Sequence, residues 1–372
     1  MDLFKNIVEE EKLHQNYKAF KYDKLPYTRE VLSNWSTGFE DRDNKFIYEF
    51  QSTFNSSFWE LYLFSVLKEL KYSVDFTHNR PDFLVSREDL ELNIEATIAS
   101  HSENGQPEWE RTYSEKELEK WSQEKILYNS TLRLANAFKS KSNKFLKSYS
   151  KLNYVKNKPF VLAIAPFDSP YFFEANQQAI RRILYGFDRY KAVDYSESQR
   201  EILETINMHS INKINQKLEE VDIKLGFFNN DEFKHISAVI FSNVATASKV
   251  RMLSDDPQVI VTNETRFNPY STQPYNNILG KREANEHLLD GLSILHNPFA
   301  DFPLDREAFE HPLVAQIDSM DFEDGVPENF LFKRVIFVSK GSQKLTKKRK
   351  NEHERAIKSM FEKEVKYPIY HN

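Results

Sequence analysis

Apolar positions change their period several times along this chain, and each change predicts an element. Residues 1–50 are charged, with little periodic signal, and predict a helical N-terminal arm. From Asn55 to Leu70 the segment NSSFWELYLFSVLKEL repeats its apolar residues at helical spacing behind an Asn/Ser cap. Three strands follow by pattern: YSVDF (72–76), PDFLVSR (81–87) and LELNIEATIA (90–99), the first two separated by an HNRP turn. After a loop at 101–112 containing Gly105 and Pro107, a long helical stretch runs from about 114 to 152. PFVLAIAPF (159–167) is apolar throughout and predicts a buried strand. ANQQAIRRILYGF predicts a helix closed by Gly186.

Beyond that point residues 190–225 read as a charged, helical insertion, and HISAVIFSNVA (235–245) as another buried strand. The Asn- and Pro-rich stretch 262–279 predicts a loop, RVIFVSK (334–340) a last strand, and 344–364 a tail helix. The order helix–strand–strand–strand–helix–strand, with strands too apolar for a one-sided sheet, predicts a three-layer α/β/α fold with a mixed central sheet. Three regions result: the arm (1–50), an α/β core (51–250), and an extension with a basic tail (251–372).

Composition narrows the chemistry. The chain holds 372 residues with no cysteine, which excludes thiol nucleophiles, disulfides and Cys-ligated metals and suits a cytoplasmic protein. Eight glycines, against a usual ~7 % of residues, leave no dinucleotide fingerprint, Walker loop or G-x-S-x-G elbow. The ten histidines form no H-x-H, H-x-x-H or H-E-x-x-H pair, so a compact histidine zinc site is not expected. The segment MDLFKNIVEEEKLHQ lacks the basic-then-apolar layout of a signal peptide. The longest apolar run is half a membrane span, so no membrane partner is expected.

The candidate chemistry lies at Asp82 and Glu95. Asp82 opens its strand, where a carboxylate reaches solvent, whereas Glu95 stands between Ile94 and Ala96 in a strand that otherwise reads as core. A buried carboxylate is costly unless it is paired or binds a metal. The short 87–90 connection makes the two strands a hairpin, with Asp82 and Glu95 as neighbours near its open end. Two hard oxygen ligands at that spacing suit Mg²⁺. Glu60 points along a mostly apolar helix face, which calls for a metal or a salt bridge.

This arrangement, WELYL…RPDFLV…IEAT over roughly residues 55–165, resembles the PD-(D/E)xK nuclease superfamily, and more narrowly a bacterial subset carrying that core. The resemblance implies a restriction-endonuclease-like core. It also implies Asp82 and Glu95 as metal ligands for Mg²⁺ or Mn²⁺, and Glu60 as the acid many members place on the first helix. The E-x-K lysine, which supports the attacking water, is replaced by Thr97, which carries no charge to do so.

A replacement cation is expected from residues 126–158, which hold eight basic side chains and no acid. On a helical wheel Arg133, Lys141, Lys144, Lys147 and Lys151 form a cationic stripe suited to backbone phosphates, opposite a half containing Leu146 that packs on the sheet. Lys139 falls on that packed half, where it could take the missing lysine's role; Lys141 is the alternative. A second acid-free basic block spans Lys333–Lys350 and predicts another cationic surface. His78 and Arg80 flank the motif as weaker phosphate candidates. Asp168 reads as a turn former, and Asn243, Lys249 and Arg251 as candidate groove residues.

The expected function is a metal-dependent phosphodiesterase acting on nucleic acid, DNA before RNA. The resemblance implies a setting in bacterial restriction or phage defence, with a second copy or a defence complex as further partners. The competing expectation is an inactive nuclease fold that binds nucleic acid or scaffolds a complex.

Overall fold

The computed structural model describes residues 1–112, 114–175, 177–189, 200–202, 205–212, 217–271, 273–318 and 325–339. The arm folds into helices α1 (Gln15–Lys21), α2 (Tyr27–Trp35) and α3 (Phe46–Ser52), and leads into α4 (Asn55–Glu69). Phe58, Trp59, Leu61, Tyr62, Leu63 and Phe64 are all buried, so α4 is apolar around its circumference, as a helix packed on every side must be. Trp35 of α2 lies against Phe58 and Tyr62, with ring centroids 5.9 and 5.8 Å away. The indole N–H of Trp59 donates to the carbonyl of Ala163 at 3.0 Å, tying the helix to the sheet.

Strands β1 (Ser73–Asp75), β2 (Phe83–Arg87) and β3 (Leu90–Ser100) form an antiparallel meander. The turn between β2 and β3 is two residues long, with Glu88 in the left-handed region at φ 52°. The helical stretch divides at Trp121 into α5 (Glu115–Lys120) and α6 (Gln123–Lys147). Each is capped by a serine, Ser114 or Ser122, whose hydroxyl accepts from a backbone N–H in the first turn. Strand β4 (Phe160–Phe167) is buried at every position and pairs parallel to β3, as its unbroken apolar run requires. Helix α7 (Gln178–Tyr185) ends at Gly186 with φ 65°, the left-handed cap that glycine supplies without strain.

Residues 190–225 differ from expectation: where described they are strands, not helix. Short strands β5 (Phe187–Arg189) and β6 (Arg200–Ile202) pair with each other, and β7 (Thr205–Asn212) and β8 (Lys217–Lys224) form an antiparallel hairpin. Their apolar residues, Ile206, Met208 and Ile211 in β7 and Leu218, Val221 and Ile223 in β8, keep no strict period of two, so the pattern did not single out a hairpin.

After β9 (Ala238–Phe241) and α8 (Ala247–Leu253), the stretch expected to be a loop contains strands β10 (Val259–Arg266) and β11 (Tyr275–Gly280). Helix α9 (Lys281–Ala284), β12 (Ser293–His296), β13 (Ala315–Ile317) and β14 (Leu331–Ser339) follow. β10 lies between β11 and β14 in a separate three-stranded sheet. Asn276 and Asn277 are tolerated there because β11 is only half-buried, whereas Thr262 of β10 is buried.

The main sheet is mixed and seven-stranded, in the order β1-β2-β3-β4-β9-β12-β13. It therefore runs past residue 250 and takes in two strands from the region expected to be an extension. These two are four and three residues long, too short for a periodic signal. Helices α4 and α6 both contact β3. The tail helix expected at 344–364 lies outside the described residues. No described helix is long and apolar enough to cross a membrane.

Replacing Trp59 by alanine removes the largest fully buried ring and its hydrogen bond. A loss of about 3–5 kcal/mol is expected, read from urea unfolding midpoints; a change below about 1 kcal/mol would show that α4 is not clamped this way.

Candidate active site

Register brings the two acids together. Phe83 pairs with Ile94, so Asp82, one residue earlier, stands opposite Glu95, and its Oδ2 accepts the backbone N–H of Ala96 at 2.7 Å. The turn that delivers Asp82 is held from two sides. Arg42 of the arm donates to the carbonyls of His78 and Pro81, at 2.6 and 3.4 Å. Tyr154 donates to the Arg80 carbonyl at 3.0 Å and stacks on His78 with centroids 3.7 Å apart. His78 and Arg80 thus act here through a ring face and a carbonyl.

Glu95 is 1 % exposed inside β3. Its Oε1 accepts from Lys141 Nζ at 2.6 Å, Lys144 Nζ at 3.0 Å and the Tyr149 hydroxyl at 3.2 Å, while Oε2 is buried with no hydrogen-bond partner. Two ammonium groups and a phenol on one oxygen make up for water lost on burial, and the contact to Lys141 is at charge-assisted length. Tyr149 is held well above the usual phenol range, first by burial and then by the Glu95 charge.

Crowding of acids appears at the other two carboxyls. Burial, then the Glu95 charge, pushes Asp82 up to about 6, against the lowering effect of Lys141. Glu60 is raised well above the ordinary carboxylate range by burial and then by Asp82, with Arg42 opposing. Glu60, Asp82 and Glu95 thus feel one another's charge, although they come from α4, the turn before β2, and β3.

Lys139 is a correction. Its ammonium lies 5.3 Å above the ring of Phe227, away from Glu95. The flank of α6 that carries it packs against the Phe227–Phe233 cluster, where Phe138 sits 5.0 Å from Phe227. The part of α6 that faces Glu95 is instead the one bearing Lys141 and Lys144, whose aliphatic stems carry the ammonium groups inward. Leu146, expected on the packed half, is 51 % exposed.

The cationic stripe is correspondingly shorter. Arg133 donates to the carbonyls of Ser100 and His101 at 2.7 and 3.1 Å, closing the end of β3, and Lys141 and Lys144 are engaged with Glu95. Lys147 and Lys151 are exposed. Thr97, two residues beyond Glu95 on the same strand face, is half-buried.

Several weaker candidates have structural partners. Asp168 is buried, accepts from Asn129 and Ser130 at 2.9 to 3.1 Å, and is raised to about 7 by burial. Arg251 pairs with Asp23 at 3.4 Å. Lys249, 0 % exposed, pairs with Glu286 at 2.5 Å. The second basic block does not begin on a cationic surface: Arg334 is buried between Glu264 and Glu286, and Lys333 pairs with Glu174. The rest of that block lies outside the described residues. Sequence reasoning missed the joint role of Lys141, Lys144 and Tyr149, although Lys141 and Lys144 sit at i,i+3 on one helix face, the spacing that lets two side chains meet one target.

Among the described residues no group of three or more His, Asp or Glu side chains is arranged to hold a metal ion. Mg²⁺ needs only one or two carboxylates, with water and substrate filling the other positions. The facing pair Asp82 and Glu95 meets that requirement, and the unpartnered Oε2 of Glu95 is the oxygen left for it. No family model, curated protein or solved structure matches the chain.

Ionising Asp82 disfavours the fold, because its folded-state affinity for the proton exceeds that of the unfolded chain. Between pH about 4 and about 6 the folded state keeps a proton the unfolded state has released, so metal-free stability is expected to fall across that window. Urea unfolding at stepped pH should show the decline in the native chain and a shallower one in Asp82→Asn; parallel curves would remove Asp82 as its source.

Proposed function

We propose that the chain is a metal-dependent phosphodiesterase that cleaves nucleic acid, DNA before RNA, with Asp82 and Glu95 as its metal-holding pair. The observation that supports this reading most is the Lys141 ammonium at 2.6 Å from Glu95. It puts a cation beside the acid pair, where a threonine has replaced the lysine of the E-x-K motif. The described order α4–β1–β2–β3–α5–α6–β4 also supports the reading: apart from the short α5 it is the helix–strand–strand–strand–helix–strand order that the resemblance implies.

A divalent ion held here would lower the pKa of a bound water and offset charge on the phosphoryl oxygens. The chain's own residues do the rest. Asp82 is oriented by the Ala96 N–H, and its raised proton affinity makes the pair attractive to a cation. Glu95 presents Oε2 while Lys141, Lys144 and Tyr149 hold Oε1. Lys141 supplies fixed positive charge near the reacting phosphate, worth roughly 10²–10³ in rate for one well-placed donor. Exposed Lys147 and Lys151 would meet flanking backbone phosphates. Restriction or phage defence is the setting this reading implies, through the resemblance.

The second reading, an inactive nuclease fold that binds nucleic acid, has one observation in its favour. Lys141 and Lys144 neutralise Glu95 without any metal.

Plasmid, linear and single-stranded DNA, and RNA, incubated with Mg²⁺ or Mn²⁺ separate the two. Cleavage is expected for the native chain and should be lost in Asp82→Ala and Glu95→Gln. It should fall at least 100-fold in Lys141→Ala and stay unchanged in Lys139→Ala. Salt-sensitive binding with no cleavage under any metal would overturn the enzymatic reading and leave the binding module.

A further inference from the structure

The acid pair is already balanced in charge. Lys141 and Lys144 both contact Glu95, and both act on Asp82 through their fields, so two carboxyls face two ammonium groups. Glu60 has Arg42 as its own opposing cation, and Glu49, the acid beyond it, is exposed. With every group ionised, the pair and its two lysines have no net negative charge to draw a divalent ion. An ion on the unpartnered Oε2 of Glu95 would stand across one carboxyl from both ammonium groups, and each would repel it. Removing one lysine from the pair gives it the charge that a metal needs.

The cations are not held alike. Arg42 is fixed by the carbonyls of His78 and Pro81. Lys141 contacts Glu95 at 2.6 Å with 22 % of its side chain exposed, whereas Lys144 contacts it at 3.0 Å with 49 % exposed. Lys144 lies in the last turn of α6, where its carbonyl accepts the Ser148 N–H, so the backbone is held while the side chain borders solvent. Its ammonium sits 5.0 Å above the ring of Tyr149, a modest attraction that seats it beside Glu95. The neighbour three residues on along the same helix face is exposed Lys147. Turned outward, Lys144 meets the same backbone phosphates as Lys147, while Lys141 and Tyr149 still hold Oε1 of Glu95.

We propose that Lys144 couples substrate binding to metal binding. Without nucleic acid its ammonium stays on Glu95 and holds the affinity for a divalent ion down. A backbone phosphate draws it off, and the acid pair is left with net negative charge. Metal and substrate then raise each other's affinity by the same factor, as linkage requires. No bond is made or broken; one ammonium exchanges a carboxylate for a phosphate. The inference rests on the reading of Asp82 and Glu95 as a metal-holding pair. It gives the metal-free contacts of Glu95 a part in an active enzyme, which is to keep the site unloaded until a strand arrives.

The full chain is titrated with Mn²⁺ by calorimetry at about pH 7.5 without nucleic acid. Lys144→Met keeps the stem over Tyr149 and removes the charge, and should bind Mn²⁺ roughly tenfold or more tightly than the native chain. Lys139→Met, which takes a charge from the same helix away from Glu95, should stay within about twofold. Lys144→Gln should repeat the gain and serves if the methionine variant fails to fold. Duplex DNA binding is then followed at stepped salt in EDTA, where the slope counts phosphate contacts, and should lose about one contact in Lys144→Met. Equal Mn²⁺ affinity in the native chain and both Lys144 variants would overturn the coupling and leave the metal pair standing. A salt slope that Lys144→Met does not change, or no duplex binding at all, would do the same. No Mn²⁺ binding by the native chain or by either Lys144 variant would overturn the metal pair itself, and the coupling with it.

Discussion

A glutamate carboxyl in the middle of a buried strand sets the terms for everything around it. Glu95 is buried away from solvent, so the fold must bring charge to it, and α6 does so with two lysines and the tyrosine that follows. Breaking such a buried pair from one side costs several kcal/mol, which ties the position of α6 to β3. The same need explains the clamped turn before β2. Arg42 and Tyr154 hold it where Asp82 faces Glu95, although the two acids repel each other there. Hydrophobic burial alone would not arrange like charges this way; an arrangement disfavoured in isolation is the kind that functional sites retain.

Much of this was legible in the sequence, for definite reasons. The hairpin pairing of Asp82 with Glu95 followed from a two-residue connection and strand alternation, both local properties. The buried character of β4 followed from an unbroken apolar run. Which lysine reaches Glu95 was not legible. A wheel gives angles around α6 but not the direction in which the helix crosses the sheet, and that direction selects Lys141 and Lys144 over Lys139. Strands β12 and β13 were invisible because three or four residues carry no period, and they exist through their neighbours in the sheet. The hairpin of β7 and β8 was not legible because neither strand keeps a strict alternation of two; pairing with each other defines them.

The region after residue 250 contributes more than an extension. It completes the main sheet through β12 and β13 and inserts a charged cluster into the interior. Lys249, Glu286, Arg334, Glu264, Arg266 and Asp290 are linked by consecutive ion pairs, joining α8, β10 and β14. A network of this kind is specific in geometry rather than strong, because desolvation offsets much of its attraction. Its ion pairs with Glu264 and Glu286 give Arg334 a fixed orientation, as Asn16 and Asn55 do for Glu108. The acids facing each other at β3 and the ion-pair network around Arg334 are both charges that the fold has had to accommodate in its interior.

The central claim is that Asp82 and Glu95 together form a cation site. Calorimetric titration of the chain with Mn²⁺ at pH 7.5 and again at pH 5 tests it most directly. The account predicts saturable binding at pH 7.5, weaker binding at pH 5 where Asp82 holds its proton, and loss of binding in both Asp82→Asn and Glu95→Gln. An absence of Mn²⁺ binding at pH 7.5, or binding that both variants retain, would contradict it.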